Sequence, residues 1–210
     1  MYELDQLLSA KKIPKLPLYL DSPMASKATD IYKRHREYFD AETRALLARD
    51  DDPLDYPGST ITNDAEASKK IRTAPRPYMI VASNGMLTGG RVLHHLRNLI
   101  DDPTATLLFV GYQGQGTLGA HLQAGAKEVK LDGQLRPVRC RVQSISGFSA
   151  HADESELLDW LRNFTRGKRR PKRVFIVHGD PPAEAAIEPK IRALGFDTHV
   201  PKWRETVRLD

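Results

Sequence analysis

The sequence predicts an α/β fold in which a mostly parallel sheet is flanked by helices. Two observations carry this. Unbroken apolar runs such as Val174-Phe175-Ile176-Val177 and Leu107-Leu108-Phe109-Val110 read as strands buried on both faces, as parallel sheets require. Segments of helical period lie between such runs: Val92, Leu93, Leu96 and Leu99 mark one apolar face, and Leu157, Leu158, Leu161 and Phe164 another.

From the N-terminus, Leu4, Leu7 and Leu8 predict a helix that ends near residue 12, before a short strand Leu18-Tyr19-Leu20. Asp21-Ser22-Pro23-Met24-Ala25 then turns into a long amphipathic helix with Ile31, His35, Tyr38, Phe39 and Leu46 inward. Residues 50–63, polar and interrupted by Pro53, Pro57 and Gly58, read as a surface loop. A short helix over 65–72, a strand Tyr78–Ala82 and the Val92 helix follow. After the Leu107 strand, residues 127–131 and 137–145 alternate as strands, with Asp132-Gly133 as a hairpin turn. Asp153 and Glu156 form an Asp-x-x-Glu capping pattern, and Asp180-Pro181 reads as the N-cap and first turn of the last helix.

The chain has 210 residues, 40% of them hydrophobic, enough for a packed core. No apolar run approaches the roughly 20 residues that cross a bilayer, and the first residues lack a signal-peptide pattern, so the expected location is cytoplasmic. Cys140 is the one cysteine, which excludes an internal disulfide and a cysteine-based zinc site. Alternation of Val138, Cys140 and Val142 with Arg139 and Arg141 points the cysteine inward. A net charge of +5 allows a polyanionic partner. Arg162, Arg166, Lys168, Arg169, Arg170, Lys172 and Arg173 concentrate that charge in one connection, as a solvated loop or a phosphate contact.

Two glycine-bearing turns invite functional readings. Ser83-Asn84-Gly85-Met86-Leu87-Thr88-Gly89-Gly90-Arg91 joins a strand to a helix, where exposed backbone N–H groups can admit an oxyanion or simply make a tight turn. Gly114-x-Gly116-x-x-Gly119 matches the dinucleotide fingerprint in spacing, but its acidic candidates Glu128 and Asp132 come too early, so the glycines read as close packing of strand on helix. His94 and His95 are neighbours on a helix, about 100° apart, and read as structural.

His151, just ahead of a helix start, and His178, at the carboxyl end of an apolar strand, complete the set. Phe148-Ser149-Ala150-His151-Ala152-Asp153 followed by Val177-His178-Gly179-Asp180 resembles the closing part of the β-CASP branch of the metallo-β-lactamase fold, a family of RNA- and DNA-processing nucleases. The Asp21-Ser22-Pro23-Met24-Ala25 turn, the Ser83 to Arg91 loop and Gly111-Tyr112-Gln113 with Gly116-Thr117-Leu118-Gly119 are similar to further segments of that family, in the same order.

The resemblance implies residues 1–147 as a β-CASP domain lacking its N-terminal part, and 148–210 as the last segment of the αββα metallo-β-lactamase domain, an RNA-specificity region. It implies two zinc ions in the complete protein, His178 as the last zinc ligand, and His151 near the scissile phosphate, where it could protonate the leaving oxygen. Ser83, Gly85, Gly89, Gly90, Arg91 and Ser149 would line the substrate cleft. Asp21 and Ser22 would face that cleft or serve as a strand-to-helix cap.

The family's main ligand motif, His-x-His-x-Asp-His, is absent from these residues. The expectation is therefore that the chain alone binds zinc weakly and is inactive, being completed by a missing N-terminal metallo-β-lactamase portion. Implied partners are RNA, with single-stranded DNA also allowed, and a second copy in a homodimer. A non-catalytic nucleic-acid-binding module and a dinucleotide-binding protein using Gly114 to Gly119 stay open as alternatives.

Overall fold

The computed structural model describes residues 1–49, 52–62, 64–165 and 170–209. The chain divides into two compact units, Met1–Ser146 and Gly147–Asp210.

In the first unit, α1 (Tyr2–Ser9) lays Leu4 and Leu8 against Leu18, Leu20 and Tyr56. Strand β1 (Leu18–Asp21) leads into α2 (Pro23–Arg34), which the Ser22 Oγ caps by accepting from the Ala25 N–H at 3.1 Å. The long helix expected here is two. It stops at His35, turns through a 3₁₀ segment (Arg36–Tyr38), and restarts as α3 (Ala41–Leu47). Asp40 causes the restart, because its side chain accepts from the Thr43 N–H and makes a fresh N-cap. Ile31 and Tyr38, expected to face inward, are exposed.

The supposed surface loop holds a core residue, the fully buried Tyr56, and a strand, β2 (Ser59–Ile61). Helix α4 (Ala65–Lys70), capped by Asp64, precedes β3 (Met79–Ala82). The three strands form a parallel sheet in the order β2-β1-β3, with Leu18 opposite Ser59 and Met79, and Asp21 opposite Ala82.

Helix α5 (Arg91–Leu99) leads to β4 (Thr106–Phe109), α6 (Leu118–Gln123) and the hairpin of β5 (Glu128–Leu131) and β6 (Gln134–Pro137). Asp132 and Gly133 both take positive φ, as a two-residue hairpin turn requires. The expected strand over 137–145 breaks where the Arg139 and Cys140 N–H groups both donate to the Ile100 carbonyl. It resumes as β7 (Arg141–Ser144), parallel to β4. Cys140 packs with Leu87, Leu96, Ile100, Phe109, Leu122, Val129 and Leu131. The β4 run is not covered on both faces, since Leu108 and Val110 are exposed.

The second unit runs α7 (Glu154–Arg162), β8 (Arg173–Phe175), α8 (Pro181–Ala193) and β9 (Asp197–His199), with β8 and β9 parallel. Asp153 and Glu156 close a capping box at α7. Leu158, Leu161, Ile191 and Phe196 form the core, whereas Leu157 and Val177 are exposed: the buried stripe of α7 is narrower than its apolar pattern, and β8 stops at Phe175. The molecule is α/β, with parallel strands backed by helices.

Candidate functional site

In the first unit the expected site residues gather at the carboxyl ends of β1 and β3, where open α/β sheets hold ligands. Asp21 sits at its centre with no solvent exposure. Its Oδ1 accepts from the Arg91 Nη1 at 2.7 Å and from the Thr62 hydroxyl. Its Oδ2 accepts from the Ser68 hydroxyl at 2.6 Å and from the His95 Nε2 at 2.6 Å. Burial alone raises the carboxyl's pKa; the bonds from Ser68, Thr62, His95 and Arg91 outweigh it and hold the group at about 2. Asp21 is thus an anion at any physiological pH.

That anion ties β1 to the segment after β2, to α4 and to α5 at once. Arg91 also donates to the Thr62 carbonyl at 2.9 Å, and its side chain keeps 19% of its exposure. Ser22, the cap of α2, is 1% exposed. Neither Asp21 nor Ser22 presents its side chain to a cleft: both are spent inside the chain, on the four-way anchor and on the cap.

The Ser83 to Arg91 loop is stiff. Asn84, Leu87 and Gly90 take positive φ. The Asn84 side-chain oxygen accepts from both the N–H and the hydroxyl of Thr88, and the Leu87 N–H donates to the Asn84 carbonyl. Leu87 is driven into the core at 3% exposure, which nails the loop down. Gly89 and Gly90 abut Asn84, so the asparagine is the loop's internal brace, whereas Gly85 faces open space. Gly90, at φ +78, is the N-cap of α5 and brings no side chain of its own to that helix end.

The Gly114 to Gly119 turn packs on this same loop rather than strand on helix. A Cβ at Gly114 would lie 3.6 Å from the Met86 sulfur, the Gly119 N–H donates to the Met86 carbonyl, and a Cβ at Gly119 would fall 1.7 Å from the Gln113 Oε1. The crowded position is the third glycine of the fingerprint spacing, the one that serves packing, whereas nothing lies within 4 Å of a Cβ built at Gly116.

In the second unit His151 and His178 are both exposed. The His151 N–H donates to the Ser149 hydroxyl at 3.3 Å, two residues ahead of the Asp153 cap. His178 takes a left-handed φ of 66°, between β8 and the start of α8. No hydrogen bond or ion pair links the two histidines among the described residues. Of the basic connection, Arg166, Lys168 and Arg169 lie outside the described residues. Arg162 pairs with Asp159, Arg173 with Asp197, and Arg170 donates to the Leu194 carbonyl while stacking on Phe196, so these three are held by the unit's own groups.

A family model described as the Beta-Casp domain matches residues 1–122, and one described as the Zn-dependent metallo-hydrolase RNA specificity domain matches residues 136–201. The chain belongs to the β-CASP family of metallo-β-lactamase-fold RNA nucleases. Ribonuclease TTHA0252 of Thermus thermophilus is 41% identical over 184 residues, covering 88% of this chain and 39% of the relative. The transcription termination factor FttA of Methanosarcina mazei is 34% identical across 100% of this chain and 33% of its own length, and that of Pyrococcus abyssi 33% identical across 92% and 30%. The chain therefore spans between about 30% and 39% of these relatives.

Zinc takes three or four protein ligands in such enzymes. Among the described residues no group of three or more His, Cys, Asp or Glu is placed to hold a metal ion.

Three contributors to the β-CASP site escaped sequence reasoning: Thr62, Ser68 and His95. The first two carry no signal beyond being small hydroxyl residues. His95 did carry one, because it stands four residues after Arg91 and so on the same helix face. Comparing it with its neighbour His94 hid that spacing.

Proposed function

We propose that this chain forms the RNA-gripping part of a zinc-dependent phosphodiester hydrolase. The observation that carries the reading is the pairing of an RNA-specificity family match with an arginine locked beside a stiff glycine loop at the sheet's carboxyl edge. In this reading residues 1–147 are the β-CASP part and 148–210 the RNA-specificity part.

Arg91 and the N–H groups around Ser83, Gly85, Gly89 and Gly90 hold a backbone phosphate, with Asp21 and Ser22 fixing the frame behind them. Ser149 and His151 act at the scissile bond, His151 giving a proton to the leaving oxygen. His178 supplies one ligand to a zinc centre completed by residues outside these 210, so the chain alone is inactive.

Two measurements test this. Fluorescence anisotropy with a single-stranded oligoribonucleotide shows binding that weakens with salt, and Arg91→Ala weakens it about tenfold with a salt slope shallower by about 0.7. Binding that is indifferent to Arg91 refutes the phosphate role. Elemental analysis of chain purified without chelator or affinity tag finds far less than one zinc per chain; close to two refutes the incomplete centre.

A further inference from the structure

We infer that His95 is a positioning residue for Arg91, acting through Asp21; the inference deepens the phosphate role given to Arg91 above. Arg91 and His95 lie one turn apart on α5 and face the same way. They grip opposite oxygens of one carboxylate, Arg91 at Oδ1 and His95 at Oδ2. The imidazole is 12% exposed and the carboxylate not at all, so the contact is shielded from competing water.

A carboxylate is planar, and holding both of its oxygens from one helical turn fixes the rotation of that plane. The direction in which Oδ1 meets the guanidinium follows from it. Ser68 and Thr62 also bond Asp21, but their hydroxyl hydrogens rotate freely and can follow a carboxylate that turns. The imidazole, rigid and carried on a helix, cannot follow. Without His95 the carboxylate plane is released, and Arg91 keeps the Thr62 carbonyl but loses a fixed angle to Oδ1. His94 offers a control on the same helix: it is exposed, accepts from the Arg97 Nη1 at 2.8 Å, and lies off the Asp21 face.

The test reads Arg91 directly, with no RNA present. In ¹⁵N NMR of the full chain, the wild-type Arg91 guanidinium gives narrow, slowly rotating Nη signals. His95→Ala broadens them beyond detection. His95→Gln, whose amide N–H reaches the same oxygen, restores them, and His94→Ala leaves them as they were. Should His95→Ala fail to fold, His95→Asn, whose amide stops short of Asp21, takes its place. Arg91 signals that survive loss of His95 overturn the inference.

RNA affinity separates this from the underlying reading. If Arg91→Ala weakens binding about tenfold, His95→Ala does most of the same, and the double variant is no weaker than Arg91→Ala. An additive double variant, or an inert His95→Ala beside a weakened Arg91→Ala, overturns the positioning role. An inert Arg91→Ala refutes the phosphate reading alone, and the NMR result then decides His95 by itself.

Discussion

Replacing Asp21 by asparagine keeps the shape of the side chain and removes its charge. The carboxyl lies at about 2 in the folded chain against an ordinary 3.8, which corresponds to roughly 2 kcal/mol of preferential binding of the ionised form. Asparagine does more than forfeit that amount. Its NH₂ group replaces an acceptor, so at least one of the four donors is left facing a donor, and the partly buried Arg91 loses its counter-charge. Breaking such a pair from one side costs about 3–5 kcal/mol, a large share of the ~5–15 kcal/mol that holds a domain together.

The two units carry separate optical labels: all seven tyrosines lie in Met1–Ser146 and both tryptophans in Gly147–Asp210. In urea at pH 7, Asp21→Asn lowers the tyrosine-detected midpoint. The acid limb gives the sign. Because the folded value lies below the unfolded one, ionised Asp21 stabilises above pH 3.8, and its contribution fades as pH falls toward 2. Wild type therefore loses roughly 2 kcal/mol over that window that the variant does not. A variant within about 1 kcal/mol of wild type, or parallel acid limbs, refutes the four-way anchor.

Gly119→Ala places a methyl 1.7 Å from the Gln113 Oε1 and 3.3 Å from the Met86 carbonyl oxygen. Gln113 is buried at 6% exposure and cannot swing clear, so the tyrosine-detected stability falls by about 1–3 kcal/mol; an unchanged midpoint would show the loop and its glycine packing to be loose. Tyr56→Ala empties a fully buried site and costs about 3–5 kcal/mol, while Tyr56→Phe costs about 1 kcal/mol or less, because the hydroxyl accepts only a long 3.4 Å bond from the Leu16 N–H. Equal losses from the two Tyr56 variants in urea melts would mean that the hydroxyl, not the ring, is what matters.

Sequence reasoning succeeded where one local signal governs one local outcome. The Asp153 to Glu156 capping box, the Asp132-Gly133 turn and the cap at Ser22 all formed as their residues dictate. It failed where the outcome depends on what arrives from elsewhere. Ser59-Thr60-Ile61 has no apolar pattern and becomes a strand only because β1 offers it an unpaired edge. Tyr56 is core only because α1 and β1 close over it. Asn84 is a common turn residue whose role as a brace needs Thr88 folded back on it. For the candidate site, the loop and Arg91 were legible as a motif. The partners of Asp21 were not, since hydroxyl residues far apart in sequence announce nothing until a carboxylate gathers them.

The chain separations inside that cluster bear on how the molecule comes together. The partners of Asp21 lie 41, 47, 70 and 74 residues downstream. No hairpin or local helix can assemble them, and each closes a long loop at an entropic cost before it returns any bonding. A partly folded chain thus offers the carboxylate bulk water in place of its four donors, and gains by keeping it hydrated. The four donors converge on the carboxylate only when β1, the segment after β2, α4 and α5 have come together. The proposed phosphate contact of Arg91 therefore needs the segments that carry Asp21, Thr62, Ser68 and His95 to be in place together.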